Sequence, residues 1–283
     1  MIKLIVLDVD GVVKGFTEGV NSPYPSQKVA SYLKKLHDKG IPICLCTGKA
    51  SFATRKIVEK IGLNNQHIAD GGAVVFDPLD HTVLKSITLP QEVAKTLLDQ
   101  THGKKVLWEL YTLQNKFIED DFPTHIIESP EIMPFIKVAD LRPLGSAEKM
   151  TKIEIKYLPV DETYLKHIFE PHKEKIDIQW THIPSLLPMK IVILTAKGVT
   201  KHAAVADLVK FYGVDFSEVL ALGDTMMDWG FMDGCGYVAT MGNANGEMKE
   251  LILDHKGFVG GHVDSDGLID ILEHYNKDII FSS

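Results

Sequence analysis

The sequence predicts a doubly wound α/β fold, a parallel sheet with helices on both faces, interrupted by an inserted α+β domain. Three observations predict it. Short apolar runs without polar alternation occur at residues 2–7 (IKLIVL), 41–46 (IPICLC) and 219–222 (VLAL), the pattern of parallel strands buried on both faces. Segments with helical apolar spacing alternate with these runs. From about residue 80 to 188 the pattern changes to alternating strand-like and helical pieces punctuated by proline and acidic residues, which reads as a separate domain within the first.

In chain order, the first strand ends at Asp8. Ser26 can cap a helix carrying Val29, Leu33 and Leu36 inward, with Gly40 at its end. The second strand ends at Thr47, and a helix over 50–61 stops at Gly62. In the insert, residues 152–157 (KIEIKY) and 190–194 (KIVIL) read as strands and 90–98 and 161–169 as helices. Trp108, Tyr111 and Phe117 are expected in its core. Thr200 can cap a helix with Val205, Leu208 and Val209 inward and Gly213 beyond it. The third strand ends at Gly223-Asp224. Residues 1–82 and 189–283 are therefore expected to form the core and 83–188 the insert. No internal repeat or low-complexity tract is present.

The 283 residues suffice for two domains sharing a cleft. A net charge of −8 without a basic run argues against nucleic acid as a partner. A small phosphorylated ligand stays compatible, because a metal ion can supply local positive charge. No stretch approaches the roughly 18 apolar residues of a membrane span, and the N-terminal apolar run is cut short by acids. No membrane partner is expected and the cytoplasm is the expected location. Cys44 and Cys46, two apart on a strand, should share one face. With Cys235 they read as reduced, buried thiols. The twelve histidines show no metal-ligand spacing.

The polar residues that carry chemistry fall where the strands end. Asp8-x-Asp10, Thr47 and Asp224 follow the three apolar runs, and ligands of open parallel sheets bind outside the carboxyl ends of the strands. Each element alone has a bland reading: a DxD on a solvated loop, a Thr-Gly turn, a helix-start lysine. Together they bring Asp8, Asp224 and Asp228 to one place, and three uncompensated carboxylates raise one another's pKa. A hard divalent cation relieves this, and oxygen-only ligands favour Mg²⁺. Lys201 can balance further charge, and Thr47 can donate to a phosphate oxygen. Such a set suits phosphoryl transfer. Asp8 can attack phosphorus to give an aspartyl-phosphate. Asp10 can protonate the leaving alcohol and then deprotonate the attacking water. Gly11 permits the sharp turn after them.

DVDGV at Asp8, CTGK at Cys46, KGVTK at Lys197 and GDTMMD at Gly223 resemble the four motifs of the haloacid dehalogenase superfamily. MGNA at Met241 and DGL at Asp266 resemble the tail of its Cof-type phosphatase branch. The resemblance spans both ends of the chain, and an insert between the second and third motifs implies a C2-type cap of the C2B form. It implies Asp8 as nucleophile and Asp10 as general acid/base. It implies Mg²⁺ held by the Asp8 carboxylate, the Asp10 carbonyl and Asp224, with Asp228 beside the metal. Thr47 and Lys201 match the phosphate-binding residues, Gly48 beside Thr47 is expected to share that role, and Gly11 and Lys49 are expected near the site. Asn243 is expected near the site. Departures are Lys49 where the family usually has Arg, Met227 where it usually has Asn, and Gly71-Gly72-Ala73, preceded by Asp70, where Asn-Gly-Ala often stands.

The apolar residues after Asp224, namely Met226, Met227, Trp229, Phe231 and Met232, are expected mainly to pack the following helix on the sheet. Met227 itself is expected to face the site. The function expected is Mg²⁺-dependent hydrolysis of small phosphorylated metabolites such as sugar phosphates. A phosphomutase of the same superfamily would share every catalytic residue. A binding protein that kept the fold is opposed by the intact Asp8, Asp10, Lys201 and Asp224.

Overall fold

The structure is a computed structural model that describes residues 1–79, 82–127, 130–181 and 186–280. Asp80, where the sequence pattern begins to change, lies outside them. The chain divides into two compact units, one of Met1–Lys49, Ala53–Leu84 and Thr200–Ser283, the other of Ala50–Phe52 and Lys85–Val199.

The first unit begins with β1 (Leu4–Leu7), α1 (Gln27–His37), β2 (Ile43–Leu45), α2 (Ser51–Ile61), β3 (His67–Ala69), β4 (Val74–Phe76) and β5 (Val83–Ser86), with the first two residues of α2 and the last two of β5 grouped with the second unit. The second contains α3 (Gln91–Thr101), β6 (Leu107–Tyr111), β7 (Lys116–Glu119), β8 (Ile136–Val138), α4 (Leu144–Ala147), β9 (Lys152–Tyr157), α5 (Glu162–Phe169), β10 (Ile176–Thr181) and β11 (Lys190–Ala196). The chain then returns to the first unit with α6 (Lys201–Tyr212), β12 (Val219–Leu222), α7 (Met226–Met232), β13 (Tyr237–Thr240), α8 (Gly246–Asp254), β14 (Phe258–Val259) and α9 (Leu268–Tyr275).

The central sheet of the first unit runs β14-β13-β12-β1-β2, and every pairing in it is parallel. All four residues of β1 and of β12 are buried, which explains why these strands read as unbroken apolar runs. Leu4, Val6, Cys44 and Cys46 pack with Val205 and Leu208 of α6 and Phe231 and Met232 of α7. The two cysteines thus share one face, while Cys235 is only partly buried, a correction to the expectation of three buried thiols. The predicted caps operate: Ser26 Oγ accepts from Val29 N at 3.2 Å, and Thr200 Oγ1 accepts from Ala203 N at 3.0 Å. Gly213 closes α6 in the left-handed region at φ 64°.

The second unit is a six-stranded sheet, β10-β11-β9-β6-β7-β8, antiparallel except for the β7–β8 pair. Trp108, Leu110, Phe117, Ile153, Ile155 and Tyr157 pack with Leu97 and Leu98 of α3 and with Leu165 and Phe169 of α5, so Trp108 and Phe117 are core as predicted. Tyr111 is buried too, but its hydroxyl donates to Glu109 at 2.5 Å. Glu109 also pairs with Lys116 at 3.0 Å and Lys156 at 2.7 Å. One boundary is corrected. The sequence pattern puts the start of the second core segment at residue 189, whereas β11 pairs with β9 and β10 over its whole length. Its ladder hydrogen bonds place it in the second unit, which runs to Val199.

Candidate active site

Strand register brings the polar residues to one edge of the central sheet. Leu7 stands opposite both Leu222 and Leu45, so the residues that follow these three strands emerge side by side. Asp8 N donates to Leu222 O at 2.9 Å, and Cys46 N to Leu7 O at 2.8 Å. Residues distant in sequence therefore meet without any further instruction.

At this edge, carboxylate oxygens of Asp8, Asp224 and Asp228 lie within 4.8 Å of one another. Lys201, the first residue of α6, reaches in between: its Nζ donates to Asp8 Oδ1 at 2.6 Å and to Asp228 Oδ1 at 2.7 Å. The other oxygen of Asp228 accepts from Thr225 N at 3.1 Å, Thr225 Oγ1 at 2.8 Å and Asp224 N at 3.3 Å. Thr225 and Asp228 form a capping box at the start of α7. Asp228 thus fastens both the lysine and the turn that carries Asp224.

Asp10 is turned to a different set of groups. Its Oδ1 meets Lys14 Nζ at 2.9 Å and its Oδ2 meets Lys49 Nζ at 3.1 Å. Its carboxylate stands outside the Asp8–Asp224–Asp228 group; the ligand expected of Asp10 is its backbone carbonyl. The turn from Asp10 to Lys14 is held by Gly11 N donating to Lys14 O at 2.8 Å and by the amides of Val13 and Lys14 donating to Val9 O. Gly11 has φ 78°, and a Cβ there would sit 2.0 Å from Asp224 Oδ2, so this position accepts only glycine. Asn243 Nδ2 donates to Gly11 O at 2.9 Å and lies 3.4 Å from Asp224 Oδ2, while its Oδ1 accepts from Val263 N at 3.0 Å. This places Asn243 at the site.

Thr47 is buried, and its Oγ1 accepts from Lys49 N at 3.1 Å; Gly48 beside it is exposed. The segment after β3 pins this loop: Asp70 N donates to Lys49 O at 2.8 Å and Gly71 N to Thr47 O at 3.0 Å. Gly72 has φ 108°, and a Cβ there would lie 2.3 Å from Thr200 O. Gly72, the glycine shared with Asn-Gly-Ala, thus lets the start of α6, and with it Lys201, come close.

Charge and burial shape the acidities. Burial, with Asp228 and Asp10 nearby, pushes Asp224 up to about 7. Burial and the surrounding carboxylates of Asp228, Asp224 and Asp10 also push Asp8 well above the ordinary carboxylate range, against the pull of Lys201. Burial would raise Asp10 too, but Lys49 and Lys14 outweigh it and hold the carboxyl at about 2. Lys201 stays firmly charged: burial opposes this, and Asp228 and Asp8 overcome it. Three crowded carboxylate side chains, two of them driven toward protonation, form an all-oxygen donor set that fits a hard divalent cation such as Mg²⁺.

Lys14 and Thr225 were not singled out from the sequence. A lysine closing the apolar run Val12-Val13 directly after the first motif is a signal for the former, and Thr-x-x-Asp as a capping box is one for the latter. The patch after Asp224 divides. Phe231 and Met232 are buried and Trp229 packs beside them, whereas Met226 and Met227 are 36% and 45% exposed. These two methionines are therefore no part of the packing expected of the patch, because they fall on the solvent side of the short α7.

Residues 5–272 match the family model of the haloacid dehalogenase-like hydrolases, and the chain belongs to that family. It is similar to a 5-amino-6-(5-phospho-D-ribitylamino)uracil phosphatase of Bacillus subtilis, with 25% identity covering 88% of this chain and 89% of that protein. It is also similar to an HMP-PP phosphatase of Serratia proteamaculans, with 22% identity over 97% and 96% of the two chains. Among solved structures, a haloacid dehalogenase-like hydrolase from Bacteroides thetaiotaomicron superimposes with a TM-score of 0.82 at 18% identity, covering 97% of this chain and 99% of that one. Within the family the chain falls with the Cof-type phosphatases, and it is a phosphoric monoester hydrolase. Among the described residues no helix is long and apolar enough to cross a membrane.

Proposed function

We propose that this enzyme hydrolyses phosphate monoesters of small metabolites, with Mg²⁺, through phosphorylation of Asp8. The observation that carries the reading is the different company kept by the two carboxylates of Asp8-x-Asp10. Asp8 lies with Asp224, Asp228 and Lys201, and Asp10 lies with two lysines. That division suits a nucleophile and a separate proton-transfer group.

Asp8 and Asp224 would hold the cation, since both oxygens of Asp228 already accept from protein donors. When bound, the ion would neutralise the crowded carboxylates and the charge on the phosphoryl oxygens. Lys201 and Thr47 would hold the phosphoryl group facing Asp8. An Asp8 oxygen forms a bond to phosphorus as the ester P–O bond breaks, and the leaving oxygen takes a proton from Asp10. Water then bonds to the same phosphorus, the Asp8–phosphorus bond breaks, and the water proton passes to Asp10. Beside two lysines Asp10 is ionised, so it can serve as the acid only once substrate binding draws at least one lysine away and lets the carboxyl take up a proton.

The relatives' names attach to different phosphorylated compounds, a ribitylaminouracil phosphate and HMP-PP, which supports small metabolites as a class. The second unit, inserted between the second and third motifs, is proposed as the element that selects among them. The three free thiols support a reducing, cytoplasmic setting. The test is phosphate release from a panel of phosphorylated metabolites with Mg²⁺ and with excess chelator, followed by mass spectrometry of acid-quenched enzyme. Phosphate on Asp8 and metal-dependent release are expected. Phosphate on a serine or histidine overturns the mechanism, and return of phosphate to substrate in place of release makes the enzyme a mutase.

A further inference from the structure

The backbone of Val263 is gripped from two sides. Val263 is buried in the short turn after β14. Its N–H donates to Asn243 Oδ1 at 3.0 Å, and its carbonyl accepts from Asn21 Nδ2 at 3.4 Å. Asn21 is itself buried, and the same Nδ2 donates to Asp264 Oδ1 at 2.8 Å. Its remaining polar atoms hold the loop that follows Lys14: Asn21 Oδ1 accepts from Thr17 N at 3.2 Å, and Asn21 O accepts from Gly15 N at 3.0 Å. The fit is close, since a Cβ at Gly15 would lie 2.2 Å from Asn21 Nδ2 and 2.4 Å from Asp264 Oδ1.

Asn243 carries this grip to the acidic edge. Its Nδ2 donates to Gly11 O at 2.9 Å and stands 3.4 Å from Asp224 Oδ2. Gly11 directly follows Asp10, whose carbonyl is expected to bind the cation together with Asp8 and Asp224. Two of these three expected ligands therefore adjoin Asn243. The amide fits only one way round, because its nitrogen meets a carbonyl and a carboxylate while its oxygen meets an N–H. It cannot turn without losing its bonds at both ends at once. A displacement of residues 15–22 thus reaches Asp224 through two side-chain amides and the backbone of one residue. Groups that orient metal ligands in this way change metal affinity by about 10–100-fold when removed.

We propose that Asn21 and Asn243, joined through the backbone of Val263, are positioning residues that couple the loop after the first motif to the cation site, so that order in residues 15–22 and Mg²⁺ affinity rise and fall together. The inference rests on the reading of Asp8, the Asp10 carbonyl and Asp224 as the cation ligands. Such coupling is reciprocal: a loop whose order favours the cation is itself ordered by the cation.

Two measurements on the full chain test it: calorimetric titration with Mg²⁺, and hydrogen exchange of the Gly15 and Thr17 amides with and without Mg²⁺. Asn243→Ala should weaken Mg²⁺ binding by about tenfold or more, and Asn21→Ala by about threefold or more. The double variant should lose no more than Asn243→Ala alone, because Asn21 acts through Asn243. Mg²⁺ should slow exchange of the two amides in the wild type and leave it unchanged in Asn243→Ala at saturating Mg²⁺. Asparagines that only brace the fold would lower Tm and leave the affinity unchanged. Unchanged affinity in either single variant overturns the proposal. So does a loss in the double variant equal to the product of the single losses, or slowing of exchange that survives in Asn243→Ala. Should Asn243→Ala not fold, Asn21→Ala and the wild type decide: unchanged affinity in the first, or exchange that Mg²⁺ does not slow in the second, overturns it. A wild type that binds no Mg²⁺ would be a different result, one that overturns the reading of the cation site itself and the coupling with it.

Discussion

Lys201 Nζ lies 2.6 Å from Asp8 Oδ1 and 2.7 Å from Asp228 Oδ1, so one ammonium group joins the proposed nucleophile to the carboxylate that holds the fourth motif. Lys201→Met should leave both carboxylates uncompensated. A fall in kcat of roughly 10²–10³-fold is expected, the usual effect of removing one preorganised electrostatic partner. Single-turnover measurement with saturating Mg²⁺ checks it, and a loss smaller than about tenfold would count against the role.

Metal-free protein should lose stability as pH rises through the neutral range. Asp224 has its folded pKa raised to about 7, against about 3.9 unfolded. Its contribution is therefore complete below about 4 and vanishes as pH climbs through 7. Asp8 shifts in the same direction. Asp10, held at about 2, contributes in the opposite sense, but that contribution changes only in acid below this window. The Tm of metal-free wild type should fall relative to that of Asp224→Asn between about pH 4.5 and 8, and added Mg²⁺ should reverse the fall for wild type alone. Parallel Tm curves for the two proteins would exclude Asp224 as the cause.

Gly11→Ala should displace Asp224, because the new methyl group would sit 2.0 Å from its Oδ2 at a backbone φ of 78°. Calorimetric titration should show Mg²⁺ affinity weakened by at least about tenfold, with a lower Tm. Unchanged affinity would mean that the turn relaxes without moving the carboxylate.

Excision of the insert depends on where it is cut. Removing 85–199 and joining the ends should give a monomeric core that binds Mg²⁺ and has lost selection among natural substrates. Removing only 83–188 leaves Lys190–Ala196 without β9 and β10, an apolar strand with open edges that should drive aggregation. Light scattering distinguishes the two, and equal solubility would reject the boundary. Full substrate discrimination by the shorter core would reject the insert as the selecting element.

Met227→Asn tests the departure in the fourth motif. The side chain is 45% exposed, so stability should change by no more than about 0.5 kcal/mol. A modest rise in kcat is expected if the amide supplies a positioning hydrogen bond. A clear drop in both Tm and kcat on the same sample would show that the thioether packs usefully.

Much of this site is legible in the order of residues along the chain. The runs that form β1, β2 and β12 each lead within two residues to a polar group, and a parallel sheet with aligned registers has to gather those groups at one edge. Caps are equally legible, since Ser26 and Thr200 act through bonds three residues long. The boundary at β11 is not, because KIVIL would suit a strand of either sheet and only its antiparallel partners decide between them. The split of the patch after Asp224 is hidden for a similar reason: α7 has too few turns for a sequence pattern to show which face is buried.

By itself the sequence determined the fold class and the order of the motifs, and it singled out the set we propose for the site, Asp8, Asp10, Thr47, Lys201, Asp224 and Asp228, because strand burial, capping and the chemistry of clustered carboxylates act locally or through simple topology. Only the tertiary structure decided how those groups are paired. Asp10 turned to Lys14 and Lys49, Asp228 closed on Thr225 and Lys201, and Asn243 joined Gly11 to Asp224. Such choices depend on distances of a few ångströms between segments up to 232 residues apart, and spacing along a chain carries no record of them.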